Sequence, residues 1–143
     1  MDKVYVIFWT QGGNTGQMAQ AVIDGIKEAG KEAVAWPVSQ ADASALKDVA
    51  GFAMGCPAMG DEVLEESEME PFVESIEGMV AGKKLALFGS YGWGDGQWMR
   101  DWTARMQKAG AEVIGGEGVI CHEAPDDDAI AACKELGKTL AGL

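Results

Sequence analysis

Thr10-Gln11-Gly12-Gly13-Asn14-Thr15 joins two stretches of different periodicity. Before it lies an apolar run of strand length, Val4-Tyr5-Val6-Ile7-Phe8-Trp9. After it, Ala19, Val22, Ile23 and Ile26 recur at i, i+3, i+4 and i+7, the spacing of one helix face. The unit therefore reads as a strand over 3–9, a short polar loop and a helix over 13–29, with Gly30 as its C-terminal cap. Such a loop leaves backbone N–H groups free at the positive end of a helix dipole. The hydroxyls of Thr10 and Thr15 and the amide of Asn14 add donors, while Gly12 and Gly13 let the backbone turn. The expected ligand is an anion such as a phosphate, held without Lys or Arg. Neither G-x-x-x-x-G-K-[ST] nor G-x-G-x-x-G is present, so those two nucleotide loops are set aside.

The same alternation continues down the chain. A short strand over 33–36 ends at Pro37, and Asp42 is placed to cap a short helix through Leu46. Residues 51–55 are small and apolar, as in a strand buried on both faces. The loop Cys56-Pro57-Ala58-Met59-Gly60-Asp61-Glu62 follows. A helix then carries Phe72, Val73, Ile76, Met79 and Val80 on one face, its start read as a Ser67/Glu70 capping box or as Pro71 in the first turn. Glu65 to Glu70 are read as complementing the dipole there. A strand over 84–89 leads into the loop Ser90-Tyr91-Gly92-Trp93-Gly94-Asp95-Gly96 and a helix over 97–108. A fifth strand is interrupted: Val113-Ile114 and Val119-Ile120 flank Gly115-Gly116. The last helix starts near Asp126–Asp128 and turns Ala129, Ala132, Cys133, Leu136 and Leu140 inward.

Five strands alternating with helices make an α/β fold: a doubly wound parallel sheet covered on both faces, in three layers. Its 143 residues fit one domain, 1–143. In the order 2-1-3-4-5, ligands bind beyond the carboxyl ends of the strands where the order reverses, between strands 1 and 3. The loops after strands 1, 3 and 4 meet at that rim. A flat aromatic ring with a phosphate tail suits them: the ring between Met59 and Trp93, the phosphate at 10–15.

The formal charge is −12, from 11 basic and 23 acidic residues. Nucleic acid is an unsuitable partner for such a surface; basic proteins suit it, with encounter rates that fall with salt. No run approaches the ~20 apolar residues of a membrane helix, so no membrane is expected. Met1-Asp2-Lys3 leads straight into a strand, without the pattern of a signal peptide. Three widely spaced cysteines, Cys56, Cys121 and Cys133, argue against a disulfide framework and for a cytoplasmic setting. No Cys/His spacing suggests a metal.

The blocks A-M-G-D-E-V-L-E-E-S-E (58–68) and L-F-G-S-Y-G-W-G-D-G (87–96) resemble the short-chain flavodoxins of the clostridial kind, and the similarity runs over nearly the whole chain. The resemblance implies a flavodoxin-like fold and a low-potential single-electron carrier. It would hold non-covalent FMN and cycle between semiquinone and hydroquinone, acting as a monomer between redox proteins and not as an enzyme. It places Thr10, Asn14 and Thr15 on the phosphate, with backbone N–H groups of Gln11, Gly12 and Gly13. Met59 covers the inner flavin face and Trp93 the outer; Pro57, Ala58 and Asp61 complete the middle loop. Glu62 accepts from flavin N3–H, backbone around Tyr91, Gly92, Trp93 and Gly94 meets the pyrimidine edge, and Ser90 lies close by. The Gly60 carbonyl turns to accept from N5–H, which suits a residue tolerant of positive φ. Asp61, Glu62 and Asp95 disfavour an anionic ring by repulsion.

One departure is specific to this chain. Where the family pattern has Gly-Thr, Gln11-Gly12 stands, so one hydroxyl is lost. A hydrogen bond to a charged group contributes roughly 1.5–3 kcal/mol, which corresponds to phosphate binding about tenfold or more weaker. Two other readings compete with this one. A small FMN-dependent reductase needs positioned acid–base groups, and only His122 offers one; it reads as an ordinary surface histidine. A phospho-accepting receiver needs an Asp after strand 3, where Gly55-Cys56-Pro57 stands.

Overall fold

The computed structural model describes residues 3–143; Met1 and Asp2, with the N-terminal reading that involved them, lie outside it. Strand β1 (Lys3–Phe8) lies inside the sheet and pairs in parallel with β2 (Glu32–Pro37) on one side and β3 (Gly51–Gly55) on the other. Strand β4 (Lys84–Tyr91) extends β3, and its outer edge carries both β5 (Glu112–Val113) and β6 (Val119–His122). The sheet order is therefore β2-β1-β3-β4-β5, the expected 2-1-3-4-5, with an edge position built from two segments around a break.

Alternation divides the core into two faces. Phe52, Met54, Leu85 and Leu87 face helices α2 (Met69–Ile76) and α3 (Gln97–Lys108), with Trp98 and Trp102 packed between. Val4, Val6, Ala53, Ala86 and Phe88 face α1 (Asn14–Glu28) and α4 (Asp127–Ala141). Period-2 sequences in the middle of a sheet covered on both sides produce this three-layer arrangement directly. Asp126 caps α4 by accepting from Ala129 N–H at 2.8 Å, and Asp42 accepts from Ser44 N–H at 3.0 Å before a single 3₁₀ turn.

Three sequence readings change here. Strand β4 continues to Tyr91, two residues beyond the expected end, because Cys121 and His122 of β6 pair with Ser90 and Tyr91. Helix α2 ends at Ile76, so Met79 and Val80 pack from the turn that follows. Pro71 lies in the first turn of α2, as read from sequence, but Ser67 does not cap the helix. The buried carboxylate of Glu65 does, accepting from the N–H groups of Ser67 (2.8 Å), Glu68 (2.7 Å) and Met69 (3.0 Å). Glu70, assigned to the capping box by sequence, instead forms a two-pronged pair with Arg105 at 2.9 and 2.7 Å.

Burial alone would raise the Glu65 carboxyl, but its backbone donors together outweigh that and hold it below the ordinary value of 4.5. A carboxylate with a depressed folded-state pKa stabilises above its unfolded value and loses that contribution as pH falls through the folded one. Glu65→Ala is expected to cost about 2 kcal/mol at neutral pH in urea unfolding. The gap to wild type should narrow as pH drops below about 4; a gap independent of pH would mean that charge has no part in the cap.

Candidate functional site

The three loops at the carboxyl ends of β1, β3 and β4 lie side by side because parallel pairing runs on beyond the strands. Trp9 N–H donates to Gly55 O (3.0 Å), Cys56 N–H to Phe88 O (3.1 Å) and Ala58 N–H to Ser90 O (3.0 Å). Pro57 and Ala58 are half-buried along this seam, and Trp98 Nε1 donates to the Cys56 carbonyl beneath it at 3.1 Å. Burial pushes the Cys56 thiol up to about 12, so it stays protonated and takes no part as a thiolate.

In the first loop, Gly13 is the N-cap of α1 at φ 90, and it offers α1 no side-chain hydrogen bond. Thr10 Oγ1 accepts from Gly16 N–H at 3.3 Å and keeps its own proton to donate. The N–H groups of Gly12, Gly13, Asn14 and Thr15 find no acceptor among the described residues. No Lys or Arg stands between Lys3 and Lys27. Gln11 and Gly12 are exposed and Asn14 is half-buried. A Cβ at Gly12 or Gly13 would meet nothing within 4 Å, so open space lies beside the first two of these donors. Thr15 is turned inward: its Oγ1 lies 3.2 Å from Ser90 Oγ and accepts from Ser90 N–H at 3.3 Å. It thus ties the first loop to β4, and Ser90, expected only to lie near the site, is its buried partner.

The second loop is pinned by reciprocal bonds between Met59 and Val63, each 2.9 Å, around Gly60, Asp61 and Glu62. Gly60 sits at φ 51, in the left-handed region, and a Cβ there would point into open space. Met59 is half-buried and Asp61 exposed. Glu62, expected to receive ring N3–H, reaches across to the next helix. Its Oε1 accepts from Gly96 N–H (3.1 Å) and Gln97 N–H (2.9 Å), capping α3, whose own N-cap glycine has no side chain to do so. The carboxylate passes so close to Gly94 that a Cβ there would lie 2.5 Å from Glu62 Cδ. Glu62 therefore joins the second and third loops.

The third loop presents Trp93, which is 64% exposed, between glycines; Gly92 and Gly94 are exposed as well. Tyr91 at its base packs against Trp98 (centroids 5.7 Å) and edge-on against His122 (5.2 Å). Asp95 pairs with Arg100 at 2.9 Å, an exposed contact of little energetic weight. His122 is exposed, as read from sequence, but its Nε2 lies 3.1 Å from the Gly92 carbonyl, a contact nothing in the local sequence announces.

Taken together, a row of unpaired N–H donors, a soft thioether loop and an exposed indole share one rim. An anion-tailed aromatic ring matches each of the three. The flavodoxin family model matches residues 6–136 of the chain. The chain is 45% identical over 138 residues to a flavodoxin of Clostridium beijerinckii, covering 96% of this chain and 99% of that one. It is 44% identical over 140 residues to a flavodoxin of Megasphaera elsdenii, covering 96% and 98%. The solution structure of two-electron reduced Megasphaera elsdenii flavodoxin superposes with a TM-score of 0.86 at 37% identity, over 98% of this chain and 99% of that one.

Proposed function

The chain belongs to the flavodoxin family of small FMN-binding electron carriers, and we propose that its FMN lies across the rim formed by the loops after β1, β3 and β4. The observation that carries this placement is the uncapped start of α1, where four successive N–H groups find no acceptor among the described residues and the space beside Gly12 and Gly13 is open. These donors, with the Thr10 hydroxyl and the Asn14 amide, hold the phosphate. Thr15 acts at one remove, fixing the loop on Ser90. Met59 and Trp93 enclose the ring and exclude water from its faces.

Bound FMN supplies one-electron chemistry. The chain positions the ring and sets the cost of charge on it. The Gly60 carbonyl would accept a hydrogen bond from a protonated ring N5 of bound FMN. Asp61 and the carboxylate of Glu62 oppose negative charge on the ring. Only Oε1 of Glu62 is engaged at α3, which leaves Oε2 for ring N3–H.

The net charge of −12 supports redox partners that dock through basic surfaces. Among the described residues, Val63, Trp93 and Leu143 are the large apolar side chains that stand exposed, a scatter too sparse for a permanent interface, which supports a monomer. Two core clusters on a single sheet support one domain. Three buried, unbridged cysteines suit a reducing, cytoplasmic setting.

Titrating apoprotein with FMN, followed by stepwise anaerobic reduction in the visible range, tests the site. Saturable uptake with one flavin per chain is expected; a chain that takes up none would overturn it. Gly12→Thr sharpens the test. The site of the new Cβ is open and the backbone there is not left-handed, so a threonine fits without strain. The restored hydroxyl is expected to tighten FMN binding about tenfold. Unchanged affinity for FMN in this variant would place the phosphate elsewhere.

A further inference from the structure

Two consecutive carbonyls in the third loop are held by the segment that ends β6. Tyr91 O accepts from Glu123 N–H at 2.8 Å, and Gly92 O contacts His122 Nε2 at 3.1 Å. A carbonyl oxygen only accepts, so Nε2 carries the proton in this contact. No peptide bond among the described residues is cis. In a trans peptide the C=O and N–H point in opposite directions. The N–H groups of Gly92 and Trp93 therefore both point away from His122 and Glu123. Because β6 flanks β4 on one side and β3 on the other, they face the second loop, where Ala58 N–H meets Ser90 O. Neither N–H has an acceptor among the described residues. Glu123 holds a left-handed backbone at φ 60, and Glu62 holds the corresponding strain at φ 57 across the rim. Backbone strain of this kind persists where surrounding contacts enforce a geometry.

We propose that His122 is a positioning residue of the cofactor site: by holding the Gly92 carbonyl it aims the N–H groups of Gly92 and Trp93, as a pair of donors, at the ring edge of the bound flavin. This rests on the placement of the ring between Met59 and Trp93 given above. Glycines flank Trp93, so the loop has little intrinsic stiffness and its peptide planes need an outside anchor. His122 supplies that anchor from the sheet edge without touching the ring. Paired, pre-aimed N–H donors act most strongly where negative charge concentrates. The anchor should therefore favour the two-electron-reduced cofactor over the oxidised one.

The test compares FMN dissociation constants of the full chain, oxidised and dithionite-reduced, for wild type, His122→Ala, His122→Gln and Trp93→Ala. His122→Ala is expected to weaken binding about three- to tenfold, more for the reduced than for the oxidised cofactor. His122→Gln, which keeps an N–H donor for Gly92 O, should recover most of the loss. In ¹H–¹⁵N spectra the Gly92 and Trp93 amides should shift on FMN addition in wild type and less in His122→Ala. Equal affinities of His122→Ala and wild type in both redox states would overturn the proposal. So would a uniform loss that glutamine fails to rescue, since that pattern belongs to general damage of the sheet edge. If Trp93→Ala also leaves FMN binding unchanged, the ring placement fails; if Trp93→Ala weakens binding while His122→Ala does not, only the role of His122 fails.

Discussion

Trp93→Ala is expected to raise the FMN dissociation constant about 5- to 150-fold while leaving the apoprotein as stable as wild type. The two halves of that expectation come from one observation. Trp93 is 64% exposed, so the fold draws almost nothing from its indole. An aromatic ligand laid on it would bury that face, and stacking of this kind contributes about 1–3 kcal/mol per ring, where 1.4 kcal/mol is tenfold in affinity. Trp93→Phe should lie between, retaining a flat apolar surface of smaller area. Fluorescence titration gives the affinities and urea unfolding of the apoprotein gives the stability. A large loss of stability with normal FMN affinity would reverse the assignment and make Trp93 a packing residue.

The sheet order and the rim were readable from sequence because both follow from local periodicity. Each strand is a short apolar run, each helix an i, i+3, i+4 pattern, and the loops after the first, third and fourth strands stand out against them. What local pattern did not contain was long-range partnership. The Ser67-to-Glu70 spacing satisfies a capping box on paper, yet Glu65, drawn inward with the chain around buried Leu64 and Met69, reaches three N–H groups first. Glu62 caps a helix whose N–H groups lie 34 and 35 residues away, and its role depends on Gly94 having no side chain. Thr15 and Ser90 are 75 residues apart, so a hydroxyl expected at the phosphate is instead the tie between two loops. His122 looks unremarkable in its own strand; only the pairing of β6 with β4 brings it to Gly92.

Each loop at the rim carries a contact to a neighbouring loop, and these contacts share a form. A side chain of one segment satisfies backbone groups of another: Thr15 on Ser90 N–H, Glu62 on Gly96 and Gln97, His122 on Gly92. Glycine-rich loops lack side chains with which to satisfy their own backbone. Borrowing a side chain from the next loop fixes geometry while leaving the glycine positions open to a ligand. The order of the site thus resides in residues that would scarcely touch the ring.

Gly25→Ala is expected to destabilise the chain by about 1–2 kcal/mol, although alanine is the better helix former. Helices α1 and α4 meet through a reciprocal glycine contact. A Cβ on Gly25 would overlap the Lys134 carbonyl, and one on Gly137 would overlap the Val22 carbonyl, both far inside van der Waals contact. Backbone carbonyls in mid-helix do not yield as flexible side chains do, so the helices must move apart. Overpacking of this kind costs typically 1–3 kcal/mol and sometimes more, against a gain of about 1 kcal/mol from replacing a helical glycine. The net sign is therefore set by the packing. Gly137→Ala should behave alike, and the double variant should cost less than the sum, because helices separated by one methyl already accommodate the other. Helix α1 also carries the uncapped donors of Gly12 to Thr15 at its start, so displacing it should weaken FMN binding without any contact to the cofactor. Urea midpoints of the two single variants and the double decide the matter. A midpoint at or above wild type for Gly25→Ala would mean that the helices pass with room to spare and that glycine at this seam serves no steric need.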